Sequence, residues 1–144
     1  MDINTYDEHA FRSACRFGHL HVVTQLLALE GGRRVNVHAK QEQRFRFACR
    51  ERRRDVIRVL MALEGDHRID VHAECERAFQ SVCKHGHLDV VRELLSLEGD
   101  RRIDVHALHE DAFRSACRCG HIEVVRELLS LEGDRRICVK AANG

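Results

Sequence analysis

The seven cysteines and eleven histidines are the residues of this 144-residue chain best placed for chemistry. They are the types that serve as nucleophiles, metal ligands or disulfide partners. Their spacing argues against all three uses. Cys15, Cys49, Cys83 and Cys117 lie 34 residues apart. Two histidine ladders follow the same period: His19, His87 and His121 each follow a glycine, and His38, His72 and His106 each sit in a Val-His-Ala step. A catalytic centre needs a convergent, non-repeating set of nucleophile, base and orienting group. Residues that recur with a structural unit point to a structural role. Equivalent atoms of neighbouring units sit about 8–10 Å apart, the distance between packed helices. Zinc bonds of about 2.0–2.3 Å cannot close a site within one such ladder. Neighbouring cysteines likewise exceed the ~7 Å Cα limit for a disulfide. The Cys ladder is therefore expected as small buried hydrophobes. The Gly-His histidines should pack at a helix turn, and the Val-His-Ala histidines should tie adjacent loops. Cys75, Cys119 and Cys138 break the ladder and are expected at the surface. We expect no catalytic residue, no metal and no cofactor.

Cations give the stronger functional signal. Arg12 and Arg16 stand one helical turn apart, with counterparts Arg46 and Arg50, Gln80 and Lys84, and Arg114 and Arg118. They form a cationic stripe that could meet a partner. The competing reading is structural, because Glu8, Glu42 and Glu110 precede Arg12, Arg46 and Arg114 by four residues. A Glu-to-Arg pair at that spacing stabilises a helix by a few tenths of a kcal/mol. The second unit is the odd one, crowding Arg44, Arg46, Arg50, Arg52, Arg53, Arg54 and Arg58 together. Arg53 and Arg54 extend the candidate binding set, and the cluster as a whole reads first as a solvated basic face. Aromatic residues do not interleave it as they do in single-strand nucleic-acid binders.

The elements that position these residues follow from the repeat. Phe11, Phe45, Phe79 and Phe113 keep the period of 34, as do Glu8, Glu42, Glu76 and Glu110. The segments from Ala78 and from Ala112 match at 22 of 30 positions. Four units fill the chain, at about 2–35, 36–69, 70–103 and 104–137, with a stub at 138–144. In the third unit Phe79, Val82 and Cys83 form one apolar stripe on a helix from about Glu74 to Lys84. Gly86 breaks it, in a slot that suits positive φ. A second helix should run from about Leu88 to Glu98, with Gly99 ending it and Ile103 and Val105 in an extended segment. Such helix pairs bury their apolar faces only by stacking. The fold class is all-α, a solenoid of four helix-turn-helix units, with Phe11, Phe45, Phe79 and Phe113 as a buried ladder beside the cysteines.

Composition agrees. The chain is 44% hydrophobic and 33% charged with net charge +1, too apolar for disorder and too balanced for a dedicated nucleic-acid binder. Its longest apolar run, Val59 to Leu63, cannot span a bilayer. The acidic opening MDINTYDEHA lacks the basic and then apolar pattern of a signal peptide. With an odd number of cysteines as well, a reduced cytoplasmic monomer is expected.

The string Gly86-His87-Leu88-Asp89-Val90-Val91 followed by Leu94-Leu95, and the Asp-Val-His-Ala that opens the next unit, resemble ankyrin repeats. The same pattern stands at Gly18 and Gly120, and the likeness covers the whole chain. Ala-Phe-Arg-Ser or its variants replace the family's Thr-Pro-Leu-His, and the period is 34 where the family uses 33. The resemblance implies a protein-interaction module without catalysis, its first helices lining the concave side, with another protein, acidic on its surface, as the partner. Two alternatives stay open: a structural or engineered array without its own partner, and a phosphate or nucleic-acid binder using the Arg-rich second unit.

Overall fold

The computed structural model describes residues 3–28, 39–64 and 68–137. Contacts divide the chain into two compact units, Met1–Asp70 and Val71–Gly144. The first holds α1 (Ile3–Phe17), α2 (Leu20–Leu27), α3 (Ala39–Arg50) and α4 (Arg54–Met61). The second holds α5 (Ala73–Lys84), α6 (Leu88–Leu95), α7 (Ala107–Arg118) and α8 (Ile122–Leu129), with short 3-10 turns at Gly99–Arg101 and Gly133–Arg135. All regular structure among the described residues is helical.

Within each unit, the first helix of one pair packs on the first helix of the next, and second helix packs on second helix. Thus α1 meets α3 and α2 meets α4, while α5 meets α7 and α6 meets α8. The apolar spacing explains why. In α6, Val90, Val91, Leu94 and Leu95 are all buried, a stripe wide enough to face its own first helix and a neighbouring pair at once. Phe11, Phe45, Phe79 and Phe113 are buried, as are Cys15, Cys49 and Cys83. Each fully buried phenylalanine contributes roughly 1.5–3 kcal/mol of transfer free energy.

The second helices stop earlier than their sequence suggests. α6 ends at Leu95, where Ser96 Oγ donates to the Glu93 carbonyl at 2.6 Å, and Ser130 does the same to Glu127 in α8. Such side-chain bonds compete with continued helix. The chain then turns through Gly99 and Gly133, at φ +65° and +66°. Ile103 and Val105 are buried on either side of exposed Asp104.

The turn between the helices of a pair is left-handed in every copy. Gly18, Gly86 and Gly120 have φ of +75°, +72° and +74°. Two of these glycines are also pressed by the following pair. A Cβ on Gly86 would lie 2.5 Å from His121 Nδ1, and one on Gly18 would lie 2.8 Å from Arg53 Cδ. Arg52 occupies the same slot at φ +58°. A side-chain residue there costs about 1 kcal/mol more than glycine. Arg52→Gly is therefore expected to raise stability by about that amount in chemical denaturation. A fall would mean that contacts of the Arg52 side chain outweigh the strain.

Candidate interaction surface

The last turn of each first helix carries one cation. Arg16, Arg50, Lys84 and Arg118 occupy a single slot, and all four are exposed. Placement at a helix C-terminus is favourable in itself, because a cation there faces the partial negative charge of the dipole. Arg16 lies 5.4 Å from the Phe17 ring centroid and 5.7 Å from that of Phe47. Its guanidinium is thus held over two aromatic faces. Arg118 reaches Ser115 Oγ at 3.4 Å.

The neighbouring row of the expected stripe is uneven. Arg12 is half-buried and hydrogen-bonds His9 Nδ1 at 3.0 Å. Arg46 is half-buried, and Arg114 is exposed, donating to the Leu108 carbonyl at 3.0 Å and lying 3.7 Å from Asp111. In the third copy the slot holds Gln80, which is buried.

The arginines of the second copy take different roles. Arg53 Nε donates to the Arg16 carbonyl at 3.0 Å, fastening the second pair to the end of α1. Arg53 and Arg54 are half-buried, and with Gly18, Arg52, Asp55, Val56 and Arg58 they line an open cleft of about 340 Å³. Arg44 corrects the picture of a wholly solvated cluster, since it is buried. The signal was present in the sequence, because its slot holds alanine in the other copies, at Ala10, Ala78 and Ala112.

The acidic residues four positions before the stripe also depart from expectation. Glu42, Glu76 and Glu110 are buried. Glu76 Oε1 meets His72 Nδ1, and its Oε2 accepts from the Asp104 backbone N–H at 3.3 Å. His72 Nε2 then bonds the Asp100 carbonyl at 2.7 Å. The last copy repeats the arrangement, with His106 joining Glu110 and the Asp134 carbonyl, the latter at 2.7 Å. Glu42 accepts from the Asp70 N–H at 3.2 Å. The Val-His-Ala histidine thus clamps its own helix to the loop that follows its helix pair. His38 lies outside the described residues. Each clamping glutamate has a left-handed backbone, with φ of +64°, +69° and +64° at Glu42, Glu76 and Glu110.

This clamp titrates. A carbonyl can only accept, so Nε2 of each histidine carries a hydrogen, and Nδ1 and the carboxylate share one further proton. Burial is the largest influence on Glu76 and pushes its pKa up, against the lowering effects of His72 and the Asp104 N–H. For His106 burial lowers the pKa, but the Asp134 carbonyl, Glu110 and Asp104 together outweigh it and raise the value. Both groups hold protons more tightly when folded, so the folded chain binds more protons than the unfolded one. Stability then falls as pH rises. The contribution of His106 is complete below about 6.5, its unfolded value, and is lost as pH climbs through the higher folded value. Glu76 acts in the same direction above about 4.3. The melting temperature is expected to be higher near pH 5.5 than near pH 8. A flat profile or the reverse slope would show that the shared proton is absent. Asp134 opposes this trend only at much lower pH, since the Arg102 guanidinium holds its carboxyl below the usual range.

The thiols are chemically quiet where they are buried. Burial pushes Cys15 up to about 12, although Arg44 pulls the other way, and burial also raises Cys83. Such groups are not thiolates at neutral pH. Cys117 corrects the expected ladder, because it is exposed, as is Cys119. The last described pair has no described successor to cover that face. Cys138 lies outside the described residues, and of the Cys75 side chain nothing is described. No group of three His, Cys, Asp or Glu side chains able to hold a metal occurs among the described residues. No described helix is long and apolar enough to cross a membrane.

No curated protein and no solved structure matches the chain. A family model for ankyrin repeats, in three copies, matches residues 45–140. The helix pairs, the left-handed turns at 34-residue spacing and this match agree, and the chain belongs to the ankyrin repeat family.

Proposed function

We propose that this chain is a protein-binding module that uses its inner-helix cations to hold an acidic stretch of a partner. Ankyrin repeats are generally protein–protein interaction modules and typically non-catalytic. The observation that carries the reading is the single slot of Arg16, Arg50, Lys84 and Arg118, exposed in all four copies although neighbouring slots vary between buried and exposed. Each unit carries two of these cations, Arg16 with Arg50 and Lys84 with Arg118, and such a spaced pair matches an extended acidic segment better than a compact ligand. The module acts in a reducing compartment such as the cytoplasm, where its thiols stay reduced.

The test compares the full chain with a variant carrying Arg16→Glu, Arg50→Glu, Lys84→Glu and Arg118→Glu. Reversing a charge in the last turn of a helix costs about 0.3–1 kcal/mol against the dipole, so an unchanged helical circular-dichroism spectrum is required of the variant. An unbiased interaction screen should recover acidic proteins with the natural chain, released by moderate salt, and should lose them with the variant. Retention of the same proteins by the variant sinks the reading. Recovery of no protein by either form favours an array without its own partner.

The Arg-lined cleft around Arg52, Arg53, Arg54 and Arg58 favours a second reading, a phosphate-bearing ligand. Asp55 on the cleft wall opposes it. Nucleic acid would betray itself by a steep loss of affinity with salt, in proportion to the phosphates contacted.

A further inference from the structure

The first and the last described helix pairs expose complementary faces. Slot-by-slot comparison of the second helices shows which residues face which neighbour. In the later pair of each unit the third position of the second helix is buried, as Val56 of α4 and Val124 of α8, but in α2 it is Val22, 46% exposed. The seventh position follows suit, with Leu60 and Leu128 buried and Leu26 half-buried. These two positions therefore face the preceding pair. The fourth and eighth positions behave oppositely. Val91 and Leu95 of α6, which packs on α8, are buried. Their equivalents in α8 are Val125, half-buried, and Leu129, 48% exposed. Ile122 at the first position is 55% exposed, and Cys117 emerges on the same side. These positions face the following pair.

The turn glycines give an independent fit. Inside each unit the residue after the turn glycine of one pair sits on the turn glycine of the pair before it: Arg53 on Gly18, and His121 on Gly86. At the far end Gly120 keeps its left-handed glycine, but nothing lies within 4 Å of where its Cβ would be. At the near end His19, the residue that would fill such a seat, is exposed.

We infer that the face formed by Gly120, Ile122, Val125 and Leu129 docks a second copy of this chain through that copy's His19, Val22 and Leu26. The occupant is specified by the chain itself, because the packing of α8 on α6 is the template for the new contact. The charges permit it. Arg92 of α6 bonds Glu127 of α8 at 3.2 Å, and in the new contact Arg126 would meet Gln25, an acceptor without like charge. The pairing is heterologous, head of one copy to tail of the next, so it does not use up its own surfaces in a symmetric dimer. The buried patch is small, so association is weak. It departs from the monomer expected from sequence.

The test is sedimentation equilibrium of the full chain under reducing conditions, which removes disulfide crosslinks through Cys117 or Cys119. The range runs from micromolar to about 1 mM, since weak contacts fall there. The weight-average mass should start at 16.6 kDa and climb with concentration. Val22→Asp and Leu129→Glu should each remain at the monomer mass, with unchanged helical circular dichroism showing that both fold. An equimolar mixture of the two should regain a one-to-one complex and grow no further, because each supplies the intact face that the other lacks. Three results would overturn the inference: a natural chain that stays monomeric throughout, a Val22→Asp variant that still dimerises, or a mixture that forms no complex. The second would mean a symmetric tail-to-tail contact.

Discussion

Phe79→Ala is expected to destabilise the chain by roughly 3–5 kcal/mol, the usual cost of emptying a buried aromatic site. Phe79 is wholly buried on α5, a helix that packs against α7, with Val82 and Cys83 on the same stripe also fully buried. Removal of the ring leaves a cavity that neighbours with fixed rotamers cannot fill. Total stability of a small domain is about 5–15 kcal/mol, so the variant should sit close to its unfolding threshold at room temperature. Phe113→Ala makes the comparison sharp. Its ring is also buried, but Cys117 one turn away is exposed, so the site can collapse or admit water and the loss should be smaller. Urea denaturation would read both as shifts in midpoint. A loss below about 1 kcal/mol for Phe79, or a larger loss for Phe113 than for Phe79, would mean that the packing faces are wrongly assigned.

Why the helix pairs were legible in the sequence is plain from Phe79, Val82 and Cys83, whose spacing at i, i+3 and i+4 marks one buried face. Gly86 was equally legible, because the period placed a glycine at the same turn in the first, third and last copies and made Arg52 stand out in the second. The exposed cations at the slot of Arg16 were also visible as a periodic row. Three features were not. Local spacing paired Glu110 with Arg114 along the helix surface, but buried Glu110 instead meets His106, and this depends on a left-handed backbone that no propensity reveals. Gln80 looked like a polar member of the stripe, and only packing shows it buried. Cys117 shares its residue type and spacing with Cys83, yet its exposure depends on what covers the end of the series, which is a property of neighbours. The repeat period thus specifies what each slot contacts inside the series and says little about its edges.

Glu76→Ala should cost about 2–6 kcal/mol, because it leaves two polar groups without their acceptor at about 1–3 kcal/mol each. Those groups are the Asp104 N–H and the His72 ring, and His72 in turn bonds the Asp100 carbonyl. Partial exposure of the His72 ring lets water soften the loss, which favours the lower half of that range. Two companion variants separate the contributions. Glu76→Gly loses the same carboxylate but relieves the left-handed backbone at φ +69°, so it should be less harmful than alanine by about 1 kcal/mol. Glu76→Gln keeps an oxygen for the Asp104 N–H and offers an amide hydrogen to His72 Nδ1, a pairing that needs no shared proton. It should therefore retain most of the stability while removing the part of its fall with pH, above about 4.3, that Glu76 contributes, leaving the share that comes from His106. Should glutamine prove as damaging as alanine, hydrogen bonding would not be what Glu76 supplies, and charge itself would be. Should alanine prove harmless, the clamp would be a consequence of helix packing and not one of its causes.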